Sequence, residues 1–426
     1  MLTSSPPDPA LLDRDDPLGR YRGRFELPRG PDGRAAALYL CGNSLGPMPH
    51  AVRTLLTDTL DDWATLGVRG HHEGARPWIP YADTLAPPMA ALIGAEPPDV
   101  VLMNTLTVNL HLLMASFYRP TAARHAVLIE QGAFPSDQYA IDSQLRFHGY
   151  DPATARLVAA PRPGEDLLRT EDIIARIEAN AARLALVLLP GVQYRTGQVL
   201  DIQRISAAAR ACGAIVGWDL AHAVGNVPLA LADWDIDFAV WCTYKYLCGG
   251  PGAIAGAYVS RQYRDAFDGP RLAGWWGHDA ATRFAMGPEF RAIAGAGGWQ
   301  LSNPPVLATA PLAISLALFA EAGMQRLRDK SVRLTGYAQE RLAVELGGEI
   351  ECITPTRAGE RGCQLSLRVR GGRERARRIF TQLGARGVIG DWREPDVIRI
   401  APHPLYNSFG DVAAALDILA ELVTCG

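Results

Sequence analysis

The sequence predicts an α/β chain in which a large, mostly parallel sheet carries helices on both faces and a smaller α+β domain follows it. Two observations predict this. From about residue 100 short apolar runs alternate with helical stretches, and the runs are continuously apolar, as strands covered on both faces require. The last hundred residues change pattern, with short strands and two helices of a different spacing.

Each element has its own justification. Val100 to Met103 reads as a buried strand, and Thr107 to Tyr118 as a helix capped by Thr105 or Thr107. Ala126 to Ile129 is the next strand. Thr170 caps a helix that opens on Glu171 and Asp172, and Leu184 to Leu189 is again continuously apolar. Asp201 caps a helix that stops at Gly213, followed by strands at Ala214 to Trp218 and Phe238 to Trp241. The apolar stretch Pro305 to Ala320 is shorter than the about 20 residues a bilayer span needs, and reads as a buried helix. Beyond it come a strand (Gln364 to Val369), a helix (Arg373 to Leu383), strands at Val388 to Trp392 and Val397 to Ala401, and a helix (Asp411 to Val423). Residues 1 to 35 read as an arm with loops. The predicted division is a large domain over 75–305 and a small one made of 1–74 with 306–426, the boundary falling at the Asn303-Pro304-Pro305 turn.

Bulk composition narrows the function. A net charge of −3 gives no electrostatic basis for binding nucleic acid or an anionic membrane. Seven cysteines without CxxC spacing fit a reducing cytoplasm and supply no disulfide framework or metal site. The first residues lack the basic and apolar regions of a signal peptide.

Of 42 cationic side chains only Lys245 and Lys330 are lysine. Arginine stays protonated, whereas a buried lysine amine can lose its proton and form a Schiff base. Lys330 lies in the charged helical stretch Arg326 to Arg333, where replacement by arginine is expected to be silent. Lys245 instead ends the apolar run from Phe238 and precedes Gly249-Gly250-Pro251-Gly252. By residue type alone it is equally a snorkelling side chain at a strand end. Asp219 ends the preceding strand, so both side chains fall at the carboxyl ends of neighbouring strands, where open α/β sheets bind ligands. A lysine and a carboxylate there suit pyridoxal phosphate (PLP): the lysine holds the aldehyde carbon and the carboxylate keeps the ring nitrogen protonated. Taken singly, Asp219 is a turn cap, Phe134 a core aromatic and Thr107 a helix cap. Arg399 interrupts Val397-Ile398-Arg399-Ile400 and points away from the isoleucines, either to bind a carboxylate or to face solvent. His50, His125, His148 and His403 read as structural or surface residues.

The segments Asp219-Leu220-Ala221-His222 and Trp241-Cys242-Thr243-Tyr244-Lys245-Tyr246-Leu247 closely resemble the kynureninases, fold-type-I PLP hydrolases built like aspartate aminotransferase. The resemblance continues, in order, through Tyr39 to Gly46, Leu106 to His111, Phe134-Pro135-Ser136-Asp137, Gly274 to His278, Ser302 to Pro305, Arg361 to Gln364 and Arg399 to Pro402, from about residue 37 to the end. It implies that Lys245 binds the cofactor covalently and that Tyr244 acts as an acid near the phosphate. Asp219 and Asp137 would face the pyridine nitrogen with His222 close by. Leu106 and Thr107 would hold the phosphate, Phe134 would stack on the ring, and Pro135 and Ser136 would complete the cofactor contacts. Trp275 and Asn303 would come from the other subunit of a homodimer with shared sites. Ser44, His71 and Asn303 would line the substrate pocket, and Arg399 would bind the substrate α-carboxylate. The implied reaction is hydrolysis of kynurenine or 3-hydroxykynurenine to an anthranilate and alanine, in tryptophan degradation or NAD biosynthesis. One departure is visible: Pro190-Gly191 stands where the family often carries a hydroxyl residue. A cysteine desulfurase, an aminotransferase and an idle PLP-binding scaffold are the competing readings. A desulfurase would carry histidine in place of Tyr244 and a mobile-loop cysteine.

Overall fold

A computed structural model describes residues 7–33 and 35–424. The expectations about the first residues and Cys425 concern positions largely outside that range. Seven strands form the main sheet: β1 (Val100–Leu102), β2 (Ala126–Glu130), β3 (Arg156–Ala159), β4 (Leu184–Pro190), β5 (Ile215–Asp219), β6 (Phe238–Trp241) and β7 (Gly256–Val259). Their order is β1-β7-β6-β5-β4-β2-β3, with β7 antiparallel to β1 and β6 and the remaining pairs parallel. The continuously apolar runs follow from burial on both faces. On one face Val127, Ile129, Leu186 and Val240 pack with α3 (Leu106–Phe117) and α4 (Pro135–Phe147) through Leu113, Phe117 and Ile141. Residues one step along the strands, Leu128, Val187, Leu189 and Trp218, turn to the other face. There they meet Ile173 of α5 (Thr170–Ala179), Ile205 of α6 (Ile202–Ala211) and Phe319 of α7 (Val306–Ala322).

The second sheet is antiparallel, with order β8-β9-β11-β10 from β8 (Ile350–Cys352), β9 (Leu365–Val369), β10 (Asp391–Arg393) and β11 (Val397–Ile400). Leu367, Ile398 and Ile400 on its inner face pack against α8 (Met324–Glu345), α9 (Arg373–Ala385) and α10 (Phe409–Thr424). The single strand expected over Val388 to Trp392 is two. Val388–Ile389 pairs in parallel with Leu38–Tyr39, whereas Asp391–Arg393 joins β11. Gly390 makes the change possible, because a Cβ there would lie 2.7 Å from the Arg399 carbonyl oxygen.

The N-terminal segment has more structure than an arm with loops. Asp8 caps α1 (Pro9–Arg14), accepting from Ala10 N at 2.9 Å. Asp13 in turn caps α10, accepting from Phe409 N at 2.6 Å and Gly410 N at 2.9 Å. Arg22 pairs with Asp411. Lys330 belongs to the same seam: it is buried and its Nζ lies 2.7 Å from Asp16 Oδ2. Arginine would not replace it silently, contrary to the expectation from sequence, since a guanidinium is larger than the ammonium this pair encloses. At α5 the expected Thr170 cap is also absent: Arg169 precedes the helix and no side chain caps it. Among the described residues no single helix is long and apolar enough to cross a membrane.

Candidate active site

β5 and β6 are neighbours in register, with Asp219 opposite Val240. Asp219 therefore ends one strand beside the segment that carries Lys245 out of the next. Beyond β6 the chain folds into a tight turn, with Cys248 N donating to Lys245 O and Gly249 N to Thr243 O, each at 2.9 Å. Thr243 Oγ1 anchors it on Ile254 O at 2.5 Å. This fixes the root of Lys245 and leaves its amine in the cleft, 2.9 Å from His222 Nε2. Asp219 Oδ1 accepts from Ala221 N at 2.7 Å, so the residue is a turn cap as well as a cleft carboxylate. Asn226 secures the far end of that turn, donating to His222 O and accepting from Cys363 N, both at 2.8 Å.

Two helix N-termini open on the same cleft. Asn104 adopts φ 48°, a left-handed conformation asparagine tolerates, and the chain then enters α3 at Leu106. Pro135 starts α4 with φ suited to a first helical turn. Thr107 Oγ1 and Ser136 Oγ, one from each helix, lie 2.7 Å apart. Unpaired N–H groups and hydroxyls at helix starts make an anion site. Phe134, just before α4, keeps its ring partly exposed, with Lys245 Nζ 5.9 Å from the ring centroid.

The electrostatics are unusual for so small a volume, because Glu130, Asp137 and Asp219 are all buried around it. Burial foremost, then the neighbouring charge of Asp219, pushes the Asp137 carboxyl well above the carboxylate range, with Lys245 opposing. Its Oδ1 is buried and has no hydrogen-bond partner among the described residues. Burial, then Lys245, holds His222 well below the usual histidine range, so the imidazole is neutral at neutral pH. Tyr244 is pushed upward by burial and stays a phenol able to donate a proton.

Glu130 is pushed up to about 8, first by burial and also by Asp219. The folded apoprotein thus holds a proton that the unfolded chain releases near the ordinary value of 4.5. This contribution to stability is whole below 4.5 and is lost as pH rises toward 8. We expect Glu130→Gln to flatten that decline: between about pH 5 and about pH 8 the unfolding temperature of the apoprotein should fall less than in the wild type. Parallel profiles would show that Glu130 holds no such proton.

The cleft therefore gathers Leu106, Thr107, Phe134, Ser136 and Asp137 with Asp219, His222, Tyr244 and Lys245, and Pro135 starts the helix beside them. Pro190 also lines it and, as the sequence indicates, brings no hydroxyl. Ser44, His71, Trp275, Asn303 and Arg399 do not line this cleft within one chain. Ser44 lies in the turn before Gly46, whose N–H donates to Tyr244 O at 2.8 Å. His71 packs edge-on against Trp78. Trp275 is 45% exposed and Asn303 is exposed. Arg399 is fully buried, paired with Asp391 and donating to Tyr194 O, which rules out the solvent-facing alternative. Four further residues line it, Glu130, Val192, Tyr194 and Ala221, and of these Glu130 and Tyr194 bring polar groups. Glu130 is the last residue of β2 and Tyr194 follows β4, so the rule that ligands sit at strand carboxyl ends would have found both.

The residues present fit PLP. A lysine amine, an unpartnered buried carboxylate oxygen, a partly exposed aromatic face and two helix N-termini with hydroxyls face one volume. Among solved structures the chain is similar to the cysteine desulfurase of Thermococcus onnurineus NA1, with TM-score 0.73, 16% identity and all of both chains covered. It is likewise similar to the cysteine desulfurase CsdA of Escherichia coli, with TM-score 0.76, 17% identity, and 96% of this chain and 98% of that one covered. Sheet order and cleft together define a fold-type-I PLP enzyme. The kynureninase of Koribacter versatilis (strain Ellin345) is 52% identical over 400 residues, spanning 94% of this chain and 93% of that protein. That of Xanthomonas euvesicatoria pv. vesicatoria (strain 85-10) is 54% identical over 402 residues, 94% of each. Residues 327–419 match the family model of the kynureninase C-terminal domain. The chain belongs to the kynureninase family.

Proposed function

We propose that this chain hydrolyses the Cβ–Cγ bond of L-kynurenine or its 3-hydroxy form, releasing an anthranilate and L-alanine, in a site that two copies complete. The observation that carries the reading is Lys245 Nζ, 2.9 Å from a neutral His222 and within a cleft of three buried carboxyls. Bound PLP supplies an electron sink for the pair left when a bond at Cα breaks. Lys245 anchors it, and the freed amine then takes the Cα proton. A neutral His222 accepts a hydrogen bond from that amine without repelling its positive charge. Asp219 holds positive charge at the pyridine nitrogen, and Asp137 faces that nitrogen beside it, its carboxyl kept toward the neutral acid by burial. The starts of α3 and α4 hold the phosphate through backbone N–H groups, Thr107 and Ser136. Phe134 covers the ring face. Tyr244 would deliver the proton that Cβ takes up once water has added to the γ-carbonyl and the Cβ–Cγ bond has broken with loss of the anthranilate, a step worth roughly 10²–10⁴-fold. Arg399 anchors the α-carboxylate.

The desulfurase reading loses support from the cysteines: Cys41, Cys242, Cys248 and Cys363 are buried, and Cys212 and Cys352 are half-buried. Burial pushes the Cys242 thiol upward, away from a reactive thiolate. The six described cysteines are free thiols. Domains over 75–305 and over 1–74 with 306–426 belong to the same reading. The purified protein, loaded with PLP and given kynurenine, should release anthranilate and alanine in equal amounts. Sulfide from cysteine, or turnover only with an added keto acid, would identify the competing chemistries.

Trp275 opens a short 3₁₀ turn flanked by exposed Leu272, Phe284 and Met286, and Asn303 lies exposed in the loop before α7. A second copy would cover this apolar surface and bring both residues to its cleft. Inactive Lys245→Ala and Asn303→Ala subunits, once exchanged, should regain up to about a quarter of wild-type turnover, because half the subunits pair across variants and each such pair holds one intact site. No recovery in samples that contain heterodimers, with Asn303→Ala inactive alone, would place Asn303 in its own subunit's site.

A further inference from the structure

Asp391 and Arg399 are directly opposed on β10 and β11, so their side chains rise from the same face of the small sheet. Asp391 takes Arg399 side-on: Nε donates to Oδ1 at 2.6 Å and Nη2 donates to Oδ2. Nη1 donates to Tyr194 O at 2.5 Å. A guanidinium has five N–H groups, so one on each Nη is left, the number a carboxylate accepts in a fork. A lone Arg399–Asp391 pair, however, carries no net charge and would attract an anion weakly. Arg393 removes that difficulty. Its Nη2 donates to Asp391 Oδ2 at 2.9 Å, and its buried Nε has no hydrogen-bond partner among the described residues. Both guanidiniums sit by the Tyr194 ring, 5.8 Å and 5.9 Å from its centroid. That ring lines the cleft and packs edge-on against Phe134.

We propose that Arg393, Asp391 and Arg399 act as one receptor for the substrate α-carboxylate. Asp391 orients the Arg399 fork, and Arg393 restores the positive charge that Asp391 cancels. Arg393 is a positioning residue and sets specificity for ligands that bear the carboxylate. The inference rests on the reading of Arg399 as the carboxylate anchor. A purely structural role is the rival, since the same sheet face docks on the 194–196 loop: Gln364 Nε2 donates to Tyr194 O at 2.8 Å and Ser366 Oγ to Arg195 O at 2.6 Å.

The test uses the PLP-loaded enzyme with kynurenine as substrate and, as inhibitor, the amine left when kynurenine loses its carboxylate. Arg393→Gln should raise KM for kynurenine about 10- to 100-fold with a smaller change in kcat, and leave inhibition by the amine unchanged. Adding Asp391→Asn should return the receptor to net +1 and recover much of the lost KM, which a second structural lesion would not do. Arg393→Lys keeps the charge but loses the guanidinium's geometry, and should raise KM clearly less than the glutamine variant does, so it reports even where the glutamine variant does not fold. Equal weakening of substrate and amine, or no recovery in the double variant, would overturn the proposal. Loss of carboxylate affinity in the lysine variant as large as in the glutamine variant would do so too. Failure of the wild type to cleave kynurenine would instead count against the proposed reaction, not the receptor.

Discussion

Lys245→Ala is expected to lower turnover of kynurenine by about 10⁴-fold or more, because one side chain both binds the cofactor and carries the Cα proton. The visible absorbance of the lysine-bound cofactor should vanish with it. The fold should survive. The Lys245 amine faces His222 and the Phe134 ring and forms no salt bridge among the described residues, while the turn beneath it is held by backbone bonds at Cys248 and Gly249. Thermal unfolding of the two apoproteins should therefore agree closely. Full turnover in the variant would end the PLP reading altogether.

Asp219→Asn is expected to slow release of the Cα proton by roughly 10²- to 10⁴-fold and to weaken cofactor binding. The substitution is informative because Asp219 has two tasks. Its Oδ1 accepts from Ala221 N at 2.7 Å, and an asparagine carbonyl oxygen can keep that bond. Only the negative charge is removed, and with it the partner that holds a proton on the pyridine nitrogen. Asp137 cannot substitute readily, since burial raises it and its environment favours the neutral acid. Loss of deuterium from Cα, followed in a single turnover, measures the step. An unchanged rate would show that the ring nitrogen does not depend on Asp219.

Local chemistry made the cofactor end of the site legible. Lysine scarcity marked Lys245, and the carboxyl-end rule put Asp219 beside it; the register of β5 and β6 bears that out. The segment Phe134 to Asp137 holds its place because a strand end and a proline-started helix fix it within a few residues. What lay outside reach was contact at long range. Nothing near Lys330 in the sequence points to Asp16, yet their 2.7 Å pair is buried. Nor does the run Val388 to Trp392 reveal that Gly390 sends its two halves to different sheets.

Apolar periodicity, caps and glycines act over a few residues, so the layered α/β architecture and the strand ends that form the cleft could be read from residue order. The charge state of the site and the setting of Arg399 could not. Asp137, Glu130 and His222 owe their shifted protonation to burial and to one another's fields, and Arg399 owes its orientation to Asp391 across a strand pair and to Tyr194 in the other sheet's loop. Desolvation and Coulomb forces depend on distance in space, and those distances exist only once the chain has folded.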